Sequence, residues 1–231
     1  MKTALERFEA SILNCRKCPR LTAWREEVAM TKRRAYMDQV YWGKPVPGFG
    51  DPQARVMIIG LAPGAHGSNR TGRMFTGDAS GNFLFPALYR AGFANQEHAH
   101  KQGDGLILRD AFISAICRCP PPQNKPTRQE IANCLLYLDE EICLLSKLQG
   151  FVALGRIAFD GILRLYKSRG MQLPKMDFGH GAFYRFGAGL PWLLCSYHPS
   201  RQNTQTGRLT EPMFDGIWRQ VKDLLFTSSS M

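Results

Sequence analysis

The sequence predicts a three-layer α/β/α sandwich around a central, mostly parallel sheet of four strands. Two observations lead to this fold class. Four short runs of consecutive apolar residues recur along the chain, and each is followed by a loop and then by a segment with helical spacing of its apolar residues. Parallel strands that are buried on both faces have such unbroken apolar runs, and the helices that alternate with them cover the sheet. With 231 residues, 44% of them hydrophobic, the chain is expected to form a single domain over residues 1–231.

The first half of the chain contains the first two predicted strands. Apolar residues at helical spacing over residues 5–12 predict a helix. The Gly- and Pro-rich segment 41–52 predicts an extended loop, and the apolar run 56–59 predicts the first strand. A long Gly-rich loop leads to a helix that Ser80 is expected to cap, and the second strand is expected over residues 111–116.

The second half repeats this alternation. Thr127 and Glu130 form the capping-box pattern that opens a helix. The same patterns predict the remaining elements, which are strands at 151–154 and 191–197 and helices at 157–166 and 210–226.

The charge balance favours a polyanionic partner. The chain has 30 Lys and Arg against 19 Asp and Glu, a net charge of +11. Such an excess attracts nucleic acid, although a basic protein without such a partner has the same composition. No run approaches the roughly 18 apolar residues that a membrane span needs. Residues 1–10 mix charged and apolar side chains and lack a signal-peptide core, so an intracellular location is expected.

Unusual residues cluster after three of the predicted strands, at 60–67, 117–124 and 198–203. Ligands of parallel α/β sheets bind at the carboxyl ends of the strands. These three segments are therefore expected to form the functional site.

Four of the seven cysteines have a spacing typical of a metal site. Cys15 and Cys18 form a C-x2-C pair, and Cys119 and Cys134 form a second pair with 14 residues between them. Two such pairs complete a four-thiolate site, which suits zinc or an iron–sulfur cluster, and the wide second pair favours the cluster. Buried free thiols are the alternative. They are the expected state of the three other cysteines, Cys117, Cys143 and Cys195, although Cys117 competes with Cys119 as a ligand.

Three segments carry a resemblance to a known family. GLAPGAHG at 60–67 and GRMFTGDASG at 72–81 resemble the first motif region of the family 5 uracil-DNA glycosylases, and HPSRQNTQTG at 198–207 resembles their second motif. The four-cysteine arrangement resembles the [4Fe-4S] ligation shared by families 4 and 5. The resemblance extends from Cys15 to about Phe214, nearly the whole chain.

The resemblance implies a DNA repair enzyme with a uracil-DNA glycosylase-like fold. Such an enzyme flips uracil out of double-stranded DNA, at a cost of a few kcal/mol, and hydrolyses its N-glycosidic bond to leave an abasic site. The implied cofactor is a structural [4Fe-4S] cluster held by Cys15, Cys18, Cys119 and Cys134. The protein is expected to act as a monomer in the bacterial cytoplasm, at the nucleoid.

The chemistry assigns roles to the motif residues. Negative charge develops on the leaving base, so His198, just past a strand end, is placed to donate to a uracil carbonyl oxygen. Phe75 is expected to stack on the flipped base, and the resemblance points to Asp78 and Asn124 as polar participants that orient water or stabilise the sugar cation. The remaining assignments are Gly60, Leu61, Ala62 and Ser114 for base binding and His66, Ser200, Arg201, Gln202 and Asn203 for DNA binding. Each has a structural alternative; for Asp78 it is helix capping.

Departures from related families predict broad substrate use. Other branches of the superfamily carry a polar or acidic residue where this chain has Leu61 and Ala62. Uracil-strict relatives read the base edge with an Asn at the position of Ser114. A short hydroxyl satisfies fewer edge atoms, and a site that loses a paired polar contact loses discrimination. Hypoxanthine and other deaminated bases are therefore expected substrates beside uracil.

Three alternatives remain at this point. A uracil-restricted family 4 glycosylase shares the cluster, but Leu61, Ala62, Ser114 and the long second motif argue against it. A non-catalytic DNA-binding module would use the metal only to hold the fold together. A redox protein would need a tunable cluster potential, which nothing in the sequence supports.

Overall fold

The computed structural model describes residues 3–227. The predicted domain also includes residues 1–2 and 228–231, which lie outside that range. No helix in the described range is both long and apolar enough to cross a membrane.

The helices and strands alternate through most of the chain, as predicted. The helices are α1 Ala4–Ile12, α2 Pro19–Thr31, α3 Ser68–Thr71, α4 Ala79–Arg90, α5 Arg128–Leu144, α6 Arg156–Ser168, α7 Arg201–Gln205 and α8 Glu211–Thr227. The strands are β1 Phe49–Gly50, β2 Val56–Gly60, β3 Ala111–Ala115, β4 Gly150–Leu154, β5 Phe183–Arg185 and β6 Trp192–Ser196. Single 3-10 turns lie at Arg34–Tyr36 and Pro122–Asn124.

The sheet has the order β1-β3-β2-β4-β6-β5. Its four central strands are parallel and are the four that the apolar runs predict. The prediction of four strands is wrong, because the sheet of the described residues has two more, β1 and β5. They lie at its edges and pair antiparallel to their neighbours. These are only two and three residues long and are not fully buried, so neither has the apolar run that marks a central strand.

Helices cover both faces of the sheet, which confirms the three-layer fold class. On one face α4 and α8 pack against alternate strand residues such as Ile58, Ile113 and Leu194. On the other face α1, α5 and α6 pack against the intervening residues, such as Met57 and Phe151. Side chains alternate between faces along a strand, so each central strand contributes to both cores.

The predicted helix starts are confirmed at one place and wrong at another. Thr127 and Glu130 form both hydrogen bonds of a capping box at the start of α5. The N-cap of α4 is Asp78, not Ser80, because the Asp78 carboxylate accepts the backbone N–H groups of Ser80 and Gly81. The sequence analysis also missed α2, whose apolar side chains are not confined to one face of the helix.

The topology opens a crevice at the carboxyl end of β2. The chain leaves β2 toward α4 on one face, whereas the neighbouring strands β3 and β4 lead to α5 and α6 on the other face. Connections that diverge in this way leave a gap at the strand ends, which is where open α/β sheets bind ligands.

Candidate active site

The loop between β2 and α4 forms one wall of the site. Phe75 lies in this loop with a left-handed backbone (φ 52°) and its ring packs on Gly60 at the end of β2. A Cβ atom at Gly60 would lie 2.8 Å from the Phe75 ring, so only glycine permits this contact. The Phe75 ring also stacks on the His198 imidazole, with ring centres 5.9 Å apart and planes inclined by 29°.

Asp78 ends this loop and uses its two carboxylate oxygens differently. Oδ1 accepts the N–H groups of Ser80 and Gly81, each at 3.0 Å, and so caps α4. Oδ2 lies over the turn at Gly64 and Gly67, where a Cβ on Gly67 would be 2.2 Å from it. Burial raises the pKa of Asp78, although the two backbone N–H groups oppose that shift. Oδ1 is therefore engaged in the cap. The carboxylate as a whole accepts a proton more readily than that of an exposed aspartate, because its pKa is raised.

An open groove of about 1330 Å³ brings several predicted residues together. Asp78, Asn124, His66 and Arg201 all line it. Gln123 and Asn124 both have left-handed backbones (φ 54° and 57°), which turn the exposed Asn124 into the groove wall. The groove is therefore a polar and basic channel with a single carboxylate at its base.

The second motif follows β6 and packs beside the first. His198 is partly buried, and burial lowers its pKa to about 4, so its imidazole is neutral at physiological pH. Ser200 caps α7 through the backbone N–H of Asn203 at 3.4 Å, and the Asn203 amide donates to the His198 carbonyl at 2.9 Å. The two polar residues thus hold the backbone of the motif, while Arg201 and Gln202 are exposed.

His66 is held by a partner that the sequence analysis missed. The buried Tyr41 hydroxyl lies 3.1 Å from His66 Nδ1 and accepts the backbone N–H of Arg33 at 3.3 Å. The Tyr41 hydroxyl therefore joins His66 to the backbone of residue 33. Burial, Arg33 and Arg70 lower the pKa of His66 and favour its neutral form.

Arg70 is a second residue without an expected role. Its guanidinium donates to the carbonyls of His66 (2.8 Å) and Gly77 (2.9 Å) and so joins both ends of the loop that carries Asp78. The only sequence signal is that Arg70 lies between the two segments of the first motif.

The structure does not bring Ser114 to the groove. Ser114 is fully buried on β3, and its hydroxyl donates to Glu141 Oε2 at 2.6 Å on the face covered by α1, α5 and α6. Strand alternation directs residue 114 to this face, opposite the one on which Phe75 packs. Ala62 packs toward the same core as Ser114, and Leu61 is half-buried, its carbonyl accepting the Cys117 N–H at 2.9 Å.

The four predicted cysteines converge beside the N-terminal helices. Cys15 and Cys18 lie between α1 and α2, Cys119 follows β3, and Cys134 lies on α5. Asn133 donates to the Cys18 sulfur at 3.4 Å, and the pKa of the Cys18 thiol is raised by burial and by its neighbours, Cys134 and Cys15 among them. Among residues 3–227, no three His, Cys, Asp or Glu side chains are close enough together to hold a metal ion directly.

The chemistry of this cysteine site suits an anionic group larger than one ion. Arg25 is almost fully buried and its Nη1 donates to the Cys119 sulfur at 3.0 Å, while its Nε has no hydrogen-bond partner among the described residues. A buried cation requires negative charge beside it, which thiolates bound to an iron–sulfur cluster supply. Cys117 is also buried here, against Cys134, whereas Cys143 is exposed, contrary to expectation, because it lies on the outer face of α5.

The comparisons with known proteins agree on one family. The profile of the uracil DNA glycosylase superfamily matches residues 47–222. The chain is 51% identical over 218 residues to a type-5 uracil-DNA glycosylase of Mycobacterium tuberculosis, covering 94% of this chain and 80% of the relative. It is 49% identical over 219 residues to that of Thermus thermophilus, covering 95% and 97%. A type-4 uracil-DNA glycosylase of Pyrobaculum aerophilum is 33% identical over 199 residues, covering 85% and 83%.

Proposed function

This chain belongs to the type-5 family of the uracil-DNA glycosylase superfamily, and on that basis we propose that it releases uracil from DNA by hydrolysis of the N-glycosidic bond. The observation that carries the proposal is that Asp78 and Asn124 line one basic groove, while Phe75, three residues before Asp78 in the same loop, stacks on His198 of the second motif. The alternative of a type-4 enzyme is disfavoured by its much lower identity to this chain.

His198 would stabilise the leaving base. As the bond between the base nitrogen and C1′ breaks, its electrons stay with the base, and negative charge accumulates on the carbonyl oxygens of uracil. A neutral imidazole N–H within hydrogen-bond reach of such an oxygen lowers the barrier, by roughly 10²–10³ in rate for one well-placed donor. The stacked Phe75 ring marks where the flat face of an extruded base would lie.

Asp78 would act on the sugar. The electron deficiency left at C1′ is stabilised by the negative charge of the carboxylate, and a water molecule adds to C1′ as its proton passes to Asp78 Oδ2. Asp78 returns that proton to solvent and the uracil anion takes one up from water, so that free uracil and an abasic deoxyribose are the products. Asn124 lines the same groove and would hold the water with its amide.

Two single substitutions separate this catalytic role from helix capping. Asn is as good an N-cap as Asp, so Asp78→Asn should leave stability within about 0.5 kcal/mol of the wild type. Base release should nevertheless fall by roughly 10²–10⁴-fold, because the carboxylate is lost. His198→Asn is the companion variant. Release would be measured by alkaline cleavage of a uracil duplex, and binding on a duplex with a tetrahydrofuran abasic analogue. If Asp78→Asn released uracil at the wild-type rate, Asp78 would serve only as a helix cap. If the wild-type protein bound the duplex but released no uracil, it would be a non-catalytic DNA-binding module.

We further propose that the enzyme acts as a monomer on double-stranded DNA and accepts other deaminated bases, including hypoxanthine. Ser114 faces the core on the other side of the sheet, with its hydroxyl bonded to Glu141, so it gives the base no polar contact. Leu61 and Ala62 add no polar group. Duplexes with one uracil or one hypoxanthine, treated with the purified enzyme and then alkali, test this proposal. Release of uracil alone across a panel of deaminated bases would contradict it.

The cysteine site would hold a [4Fe-4S] cluster with a structural role. Cys15, Cys18, Cys119 and Cys134 would be its ligands, and the cluster would fasten α1 and α2 to the loop and helix at 119–134. Visible absorbance of the purified protein reports the cluster. Cys134→Ser should lose that absorbance, and Cys117→Ser, the matched control at the neighbouring thiol, should keep it. The reverse result would assign Cys117 as the ligand.

A further inference from the structure

The proposed chemistry leaves one wall of the groove without a role, the segment of residues 32–41, here called the groove lip. It begins with a left-handed backbone at Lys32 (φ 54°), where α2 ends, and it runs through the 3-10 turn at Arg34–Tyr36. Arg33, Gln39 and Val40 of the lip line the same groove as Asp78.

Side chains from the first motif fasten the lip in place. The Arg70 guanidinium lies 4.0 Å from the centre of the Tyr36 ring and donates to Gln39 Oε1 at 2.6 Å. The Tyr41 hydroxyl is bonded to His66, as described above. Lys32 closes the lip on itself, because its ammonium donates to the Met37 carbonyl at 3.2 Å. A segment held in this way loses little conformational entropy when it binds a partner.

The fastened lip presents aliphatic side chains to solvent. Val40 is 92% exposed, more than any other large hydrophobic side chain in the described range, and Met37 is 58% exposed. Single exposed apolar residues are common on proteins. Val40 differs because it lies on a fastened segment at the edge of the groove that contains Asp78.

The charges around Val40 indicate what covers it. Arg33 and Arg34 are exposed in the lip, and neither forms an ion pair with any residue in the range 3–227. With Lys32 they outweigh the exposed Asp38, the one acidic residue of the lip. A partner with anionic charge outside and flat apolar surface inside is nucleic acid. Proteins that deform DNA combine phosphate contacts from Arg with an apolar side chain inserted between base steps.

We propose that the groove lip is a DNA-contacting element that presses Val40 into the duplex beside the extruded nucleotide, while Arg33 contacts a backbone phosphate. The lip would stabilise the gap left by the flipped base together with Arg201, which lines the same groove. This inference rests on the proposed function, since it concerns how the same substrate is held open.

The test compares duplex and single-stranded substrates. Val40→Ser should lower single-turnover uracil release from duplex DNA roughly tenfold, about the effect of losing 1.4 kcal/mol of apolar contact. Release from the same uracil strand without its complement should not change, because no gap needs support. Val40→Leu should retain duplex activity. Ile107→Ser is the matched control, because Ile107 is 59% exposed and does not line the groove.

Base extrusion gives a readout that does not depend on bond cleavage. Fluorescence of 2-aminopurine placed next to the uracil should rise with wild-type protein and rise less with Val40→Ser. Equal duplex activity and equal fluorescence in the two proteins would overturn the proposal, as would equal losses on duplex and single strand. Absence of uracil release by the wild type would contradict the proposed function, and the fluorescence comparison would still decide the role of Val40.

Discussion

Replacement of Glu141 is expected to destabilise the protein more than any change in the groove. Glu141 is completely buried, its Oε2 contacts Arg118 Nη2, and Arg118 is only 1% exposed. The same oxygen accepts the Ser114 hydroxyl at 2.6 Å. Glu9 from α1 completes the group, and the Gly48 N–H donates to it at 2.7 Å. Glu141→Leu would therefore leave a guanidinium in the core with no full counter-charge.

The size of this effect follows from burial. Removal of one partner of a fully buried ion pair costs about 3–5 kcal/mol, because the remaining charge loses its compensation without regaining water. That is a large part of the roughly 5–15 kcal/mol that stabilises a typical domain. The double variant Arg118→Met, Glu141→Leu removes both charges and should be more stable than either single variant.

Urea unfolding followed by tryptophan fluorescence measures these differences, provided that the slope with denaturant stays constant among the variants. The reasoning would be refuted if Glu141→Leu cost less than about 1 kcal/mol, or if the double variant lost as much stability as the two single variants together.

Three further predictions concern Glu9, Gly67 and His198. Burial and the neighbouring Glu141 raise the pKa of Glu9 to about 10, so the folded state keeps a proton that the unfolded state releases above about pH 4.5. Stability due to Glu9 should thus fall as pH rises, and Glu9→Gln should gain stability over the wild type between pH 5 and pH 9 in urea unfolding. Gly67→Ala should cut uracil release, because its Cβ would displace Asp78 Oδ2, whereas Gly179→Ala should not, since its Cβ meets only Ala182 at 3.9 Å; equal activities would contradict this. The pKa of His198 near 4 predicts no His198 titration between pH 5 and pH 8, so an inflection near pH 6.5 that His198→Asn abolishes would oppose it.

Local patterns in the sequence were sufficient for the central elements of the fold. Short unbroken apolar runs that alternate with helical segments are typical of strands covered on both faces in a parallel sheet, and β2, β3, β4 and β6 form that sheet. The capping box at Thr127 depends on residues three apart in the chain, and it forms as predicted. The edge strands β1 and β5 escaped prediction, because strands of two and three residues with partial exposure lack such a pattern.

The motifs predicted where the candidate site lies, since they follow the carboxyl ends of parallel strands. They did not determine which side chains reach it. Ser114 was expected at the base edge, yet strand alternation directs it to the opposite core, where Glu141 accepts its hydrogen bond. Alternation separates Ser114 from its two neighbours on β3, but only the packing of Phe75 on one face and of Glu141 on the other shows which face holds which residue.

The family and the order of the central elements could be read from the sequence alone, because each depends on residue types at short, fixed spacing. Only the folded structure shows how the two carboxylate oxygens of Asp78 are used, that Tyr41 contacts His66 and that Arg70 holds residues 32–41 in place. These depend on contacts between segments distant along the chain. Such contacts form only when the sheet and its helices bring those segments together, and no local pattern in the sequence encodes them.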